Sequence, residues 1–152
     1  MFKANFNDVA FPSKIAERFA QDREAELDRV KNNLRAAGLK ESFVKEKAEQ
    51  TIPFKEWNPV ERSCEVIETA IQHYFRKEYW DEKRNTTVAP WDIRKMAGKI
   101  SGRLMDCDNG EMELSDEQLD FLLKVFQSDL PTNSLYVYLG EYFEELKLKK
   151  EK

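Results

Sequence analysis

Apolar positions recur at intervals of three and four along most of this chain, the spacing that lays them on one face of an α-helix. A first long helix is predicted from the Pro12-Ser13 cap to Ala37, with Gly38 as its stop. Its apolar positions are Ile15, Ala16, Phe19, Ala20, Leu27, Val30, Leu34 and Ala37, broken where Arg23 falls. The second half is a narrow stripe suited to pairing with one other helix, either of this chain or of a second copy through Leu27, Val30 and Leu34.

A short helix over 40–50 presents Phe43, Val44 and Ala48. The stretch 51–57 then reads as extended, because Ile52 precedes a proline and is biased away from helical angles. Asn58-Pro59-Val60-Glu61 is a helix start: an Asn cap, proline in the first helical position and a glutamate in the third. The helix it opens is predicted to reach Lys83 and to be the central one, with Val60, Cys64, Ile67, Ile71, Tyr74, Phe75 and Tyr79 at helical spacing.

Residues 85–90 read as a connector. A helix from Trp91 carries Ile93, Met96, Ala97, Ile100 and Leu104 on one face and Arg94, Lys95, Lys99 and Arg103 elsewhere. Ser115, with Gln118 three residues on, caps a helix over 116–127, which Asp129-Leu-Pro131 ends. A last helix covers 134–149. The opening Phe2, Phe6, Val9 and Phe11 are too irregular for a helix, so 1–12 is expected to be an extended arm against the core. The sum is a mainly α protein. It is read as a single-domain bundle (1–152) of about five to six helices with one small Asn-Gly β-hairpin.

Composition supports that reading. At 152 residues the chain can bury a core without disulfide or metal staples. Five Gly and five Pro are too few for an all-β protein rich in tight turns. Two cysteines, Cys64 and Cys107, make no disulfide framework and no Cys-x-x-Cys pair, which fits reduced thiols. No apolar run approaches the roughly 20 residues that span a bilayer. The first residues lack the layout of a signal peptide, so a cytoplasmic protein is expected.

Charge changes the picture more. The net charge of −4 hides an asymmetry: from Asp106 to Glu145 there are eleven Asp or Glu and one basic residue, Lys124. This acidic region, 106–145, opens with Asp106-Cys-Asp-Asn-Gly-Glu-Met-Glu113, four carboxylates around an Asn-Gly turn. A calcium loop fits poorly. With Asp106 as the first ligand, Asp108 and Glu117 fall at positions three and twelve, but Gly110 falls at the fifth, where an oxygen is needed, and Glu111 takes the glycine position. Asn-Gly instead favours a type I′ hairpin. It would pair Asp108 with Glu111, Cys107 with Met112, Asp106 with Glu113 and Met105 with Leu114, gathering all four carboxylates on one face.

Catalytic signatures are lacking. His73 is the only histidine, and it lies nine residues from Cys64, on the opposite side of one helix. No P-loop, dinucleotide fingerprint, zinc-protease motif or nucleophile elbow occurs. No catalytic residue, metal or cofactor is therefore expected. The expectation is a non-enzymatic interaction module. Its acidic face (Asp106, Asp108, Glu111, Glu113, Asp116, Glu117, Asp120, Glu141, Glu144 and Glu145) would bind a basic, nucleic-acid-handling protein, with Tyr136, Tyr138 and Phe143 as aromatic anchors. Small acidic helical proteins of this type include phage or mobile-element inhibitors of host defence, an analogy of type only. The alternative is a nucleic-acid-binding accessory protein using the basic segment 83–103, through Lys83, Arg84, Arg94, Lys95, Lys99 and Arg103.

Overall fold

The computed structural model describes residues 1–151. In chain order it contains β1 (Phe2–Asn5), a 3-10 turn (Phe6–Asp8), α1 (Ile15–Ala36), α2 (Glu41–Thr51), α3 (Pro59–Glu78), β2 (Trp80–Asp81), β3 (Thr86–Thr87), α4 (Trp91–Met105), β4 (Glu111–Leu114), α5 (Asp116–Gln127) and α6 (Ser134–Glu151). The protein is mainly α, as its apolar periodicity predicts. The chain gathers into two compact units, Pro12–Asn58 and Met1–Phe11 with Pro59–Lys152.

In the unit Pro12–Asn58, α1 and α2 pack against each other. Leu27, Val44 and Ala48 are buried, and Val30 and Leu34 are half-buried. The narrow stripe of α1 thus has a helix of its own chain beside it. The helix starts one residue later than a Ser13 cap would place it: Ile15 N–H donates to the Pro12 carbonyl at 3.0 Å, so a turn occupies the expected cap, and Lys14 takes the cap position without a side-chain bond. Gly38, at φ +89, stops the helix as predicted. It lets Leu39 N–H return to the Leu34 carbonyl at 3.1 Å.

Arg23, the break in the apolar stripe, has a structural task. Its Nε and Nη2 donate to the carbonyls of Pro53 and Ile52, both at 3.2 Å, and its guanidinium lies 5.2 Å from the Phe54 ring centroid. Phe19 meets Trp57 edge-on at 5.6 Å. One turn of α1 therefore holds the extended strap that follows α2.

In the larger unit α3 is central, in contact with α4, α5 and α6. It begins at Pro59 as read but ends at Glu78, short of Lys83. The remaining turn is replaced by an antiparallel pair, Trp80↔Thr87 and Asp81↔Thr86. Asp81 Oδ1 accepts the N–H groups of Lys83 (3.0 Å) and Arg84 (3.3 Å), and Asn85 takes φ +52, so local turn chemistry outweighs the helical period there. Ser115 and Gln118 form the reciprocal capping box on α5. Leu139 and Phe143 of α6 are fully buried, with Phe143 against Phe6 and Phe126.

Candidate functional site: an acidic cleft on a two-stranded ribbon

The Asn109-Gly110 turn exists, but its hairpin does not form as predicted. β4 pairs antiparallel with β1, in the register Phe2↔Leu114, Lys3↔Glu113, Ala4↔Met112 and Asn5↔Glu111. Residues 105–108 are unavailable for pairing because α4 continues through Met105, Asp106 caps it, and Cys107 N–H still reaches the Leu104 carbonyl at 3.3 Å. The electrostatics favour the observed partner as well. The hairpin would have set carboxylate against carboxylate, whereas β1 sets Lys3 opposite Glu113. Met105 consequently leaves the shared apolar face and is 76% exposed, while Cys107, Met112 and Leu114 are buried as expected.

The turn is locked by the N-terminal arm. Asn109 Oδ1 accepts Glu111 N–H at 3.0 Å, Phe6 N–H donates to the Gly110 carbonyl at 2.9 Å, and Asn7 Nδ2 donates to the Asn109 carbonyl at 3.2 Å. Gly110 sits at φ +90. A Cβ there would lie 2.5 Å from Asn7 Nδ2 and 2.9 Å from Val60 Cγ2, so glycine is required on both grounds.

Strand alternation turns Ala4, Met112 and Leu114 inward and Lys3, Glu111 and Glu113 outward. The outward face floors a cleft of about 520 Å³ lined by Lys3, Asn5, Asp106, Asn109, Glu111 and Glu113, with Ala4 and Met112. Three of the four carboxylates of the Asn-Gly segment are thus brought together, with a single lysine among them. Asp108 is exposed on the adjoining turn, outside the lining. Asp106 is also the C-terminal cap of α4, where the helix dipole disfavours a negative charge. Lys3, Asn5 and Asn109 complete the site; of these only Asn109 is singled out in the sequence, as a turn residue, while Lys3 and Asn5 lie in the arm read as irregular.

The rest of the acidic list divides. Asp120 is paired with Lys147, and Glu144 accepts from Gln127 Nε2 at 3.3 Å. Both line a second groove, between α5 and α6, together with Lys124 and Lys147, so that groove is mixed in charge. Asp116, Glu117, Glu141 and Glu145 are exposed outside both linings.

Two of the three aromatic anchors belong to the core. Phe143 is 0% and Tyr136 8% exposed, the latter edge-on to Phe126 at 6.2 Å, so neither is presented to a partner. Tyr138 is half-buried against Phe11 at 6.2 Å. The apolar side chains that α6 does expose are Val137 and Leu148.

The basic segment is also divided. Arg103 Nη1 donates to the Glu113 carbonyl and, at 2.7 Å, to Gln118 Oε1, tying α4 to β4 and α5 through neutral oxygens. Arg84 leans on Asp81 at 3.8 Å, and Lys83 is exposed on the same turn. Arg94 Nε donates to the Ala89 carbonyl at 3.0 Å, with its guanidinium 5.4 Å from the Trp91 ring. Lys95 and Lys99 are exposed on α4.

Cys64 and Cys107 lie close enough for each to perturb the other's thiol. Burial, then the neighbouring Cys107, pushes the Cys64 thiol from its ordinary 9.0 up to about 12. Cys107 is raised as well, chiefly by burial, and its Sγ donates to the Glu111 carbonyl at 3.4 Å. Among the described residues no group of three or more His, Cys, Asp or Glu is placed to hold a metal ion, and no helix is long and apolar enough to cross a membrane. No family model, curated protein or solved structure matches the chain.

Proposed function

We propose that this protein is a non-enzymatic docking module whose acidic cleft receives a basic surface of a nucleic-acid-handling protein. The observation that carries the reading is the cleft itself: Asp106, Glu111 and Glu113 gathered around about 520 Å³, with Lys3 as the one cation in the lining among the described residues. A concavity of that size admits one or two long cationic side chains. Guanidinium groups suit it best, since a planar fork engages carboxylates in pairs. Asp106 adds a second argument. A carboxylate at the negative end of a helix costs about 0.3–1 kcal/mol, a cost that an incoming cation relieves.

Protein surfaces rich in arginine and lysine are, above all, surfaces that hold phosphates. A module that fills such a surface competes with nucleic acid for it. Inhibition, the role of the phage-type anti-defence proteins named by analogy, is therefore the expected consequence of docking. Asp108, on the adjoining turn, extends the negative potential toward an approaching partner and contributes to the rate of encounter more than to the final contact.

The test is a charge reversal at Asp106, Asp108, Glu111 and Glu113 together. Wild-type protein should bind a fluorescein-labelled arginine-rich peptide, and basic proteins retained from a host lysate, with affinity that falls as salt rises. The quadruple Lys variant should lose both. Retention of the same partners by a folded quadruple variant, at unchanged affinity, rules the reading out.

A further inference from the structure

A different face of the same helix points to a second ligand. The buried side of α4 is formed by Ala97, Ile100 and Leu104. Its outward side carries Trp91, Arg94, Lys95, Gly98, Lys99 and Gly102, all exposed, with one exposed acid, Asp92, in the first turn. Trp91 is 65% exposed although it is the largest side chain on the helix, and Arg94 lies over its ring. Lys95 and Lys99 enter no ion pair among the described residues. They stand one turn apart, a separation of about 6 Å along the axis.

The two glycines sharpen this picture. Glycine weakens a helix interior, and neither Gly98 nor Gly102 has a positive φ or any atom within 4 Å of the place its Cβ would occupy. Nothing inside the protein explains them. They leave bare backbone beside the lysines, where a ligand backbone can come close.

We infer that the outward face of α4 binds single-stranded nucleic acid, with a base stacked on Trp91 and successive phosphates on Lys95 and Lys99. The charge of the face, the exposed indole and the flat glycine stretch together suit a strand whose bases are free to stack. A duplex suits it less. Laid along α4, about 22 Å long, it would bring phosphates onto Asp106 and Asp108 at the far end. A single strand needs only the N-terminal turns. The inference is independent of the acidic cleft. Together they describe one helix with a phosphate-seeking face toward its start and a cation-seeking cleft at its end.

The experiment is an anisotropy titration of labelled oligo-dT and oligo-U, each of about 16 nucleotides, with the whole protein. Saturable binding is expected at low salt. For two or three phosphate contacts, log affinity should fall against log salt with a slope of about −1.5 to −2. Whichever oligomer binds more tightly identifies the preferred sugar. Trp91→Ala should weaken binding about tenfold while Trp91→Phe retains most of it. Lys95→Glu with Lys99→Glu should abolish it. The cleft variant Asp106→Asn, Glu111→Gln, Glu113→Gln should bind as tightly as wild type or more so. All these positions are exposed, and circular dichroism is to check that each variant is folded. Absence of binding to both oligomers, indifference to Trp91→Ala, or equal competition by poly-glutamate each overturns the inference; the last would mark the face as one for an acidic polypeptide.

Discussion

The phenol oxygen of Tyr142 accepts the backbone N–H of Asn5 at 2.7 Å. This bond joins α6 to β1, and β1 in turn forms half the floor of the acidic cleft. Phe6, the next residue, packs against Tyr142 and Phe143 with centroids 6.5 and 6.4 Å away. The N-terminal arm is therefore anchored from the far end of the sequence, and the cleft depends on that anchoring. Tyr142→Phe keeps the ring and removes only the acceptor, leaving a part-buried N–H without its partner. A loss of about 1–2 kcal/mol is expected in urea denaturation, together with faster hydrogen exchange at the Asn5 amide. Unchanged exchange there would show that β1 is held by its ladder alone.

Gly110→Ala tests the turn. Two penalties coincide at this position: a left-handed φ of +90, and contacts of 2.5 and 2.9 Å to Asn7 and Val60 for any Cβ. Strain of this kind costs about 1–3 kcal/mol. The expected result is a lower denaturation midpoint and weaker binding at the cleft, because the turn positions Asp106 relative to Glu111. Gly98→Ala, an open helical site, should stabilise the protein slightly and serves as the contrast.

What the sequence made legible was local. The capping box of Ser115 and Gln118 and the Pro59 helix start lie within one turn, and both form as read. The Asn109-Gly110 turn was legible for the same reason. Its strand partner was not, since residues 2–5 carry no mark saying which distant segment they join. The β2–β3 pair was hidden because Tyr79 prolongs the helical period of α3 past its real end. On α6, periodicity could not separate anchors from core. Residues on several sides of that helix are apolar because α3, α5 and β1 all pack on it, and Tyr136 and Phe143 face inward. Arg23 looked like a flaw in the stripe of α1. Its purpose appears only when the carbonyls of Ile52 and Pro53 come back beside it.

Lys3→Glu separates stability from binding. Lys3 stands opposite Glu113 across the ribbon and, among the described residues, is the one cation lining the cleft. The substitution should destabilise the ribbon by roughly 0.2–1 kcal/mol, as like charges face each other. If the cleft receives a cationic partner, affinity for that partner should rise nonetheless. A parallel fall in both quantities would argue that the cleft binds something other than cations.

Arg23→Ala should loosen the strap that follows α2 and little else. The side chain donates to two carbonyls and covers the Phe54 ring. Charged hydrogen bonds of this kind contribute about 1.5–3 kcal/mol. Hydrogen exchange across 52–57 should accelerate while amides of α3 and α5 keep their protection. Arg23→Lys should not rescue the effect, because a single ammonium cannot reach both carbonyls with the geometry of a planar fork.

The thiol pair sets an alkaline limit on stability. Burial, followed by the interaction with Cys107, raises the Cys64 thiol from 9.0 to about 12. The unfolded chain releases that proton near the ordinary value, so above it the unfolded state gains by ionising while the folded state still holds the proton. The stability linked to Cys64 is therefore complete below about pH 8.5 and declines as pH rises toward 12. Tyr79, Tyr136 and Tyr142 are also raised by burial and add to the decline at the upper end of the window. Cys64→Ala should flatten the lower part of this decline relative to wild type, measured as the urea midpoint from pH 8 to pH 11 in steps, with the tyrosine contribution common to both proteins. The same burial makes the thiolate scarce, so alkylation of Cys64 by iodoacetamide should be slow in native buffer and rapid in denaturant. Fast native alkylation, or identical pH profiles for variant and wild type, would mean that the Cys64 thiol is open to solvent and that its pairing with Cys107 does not hold the proton.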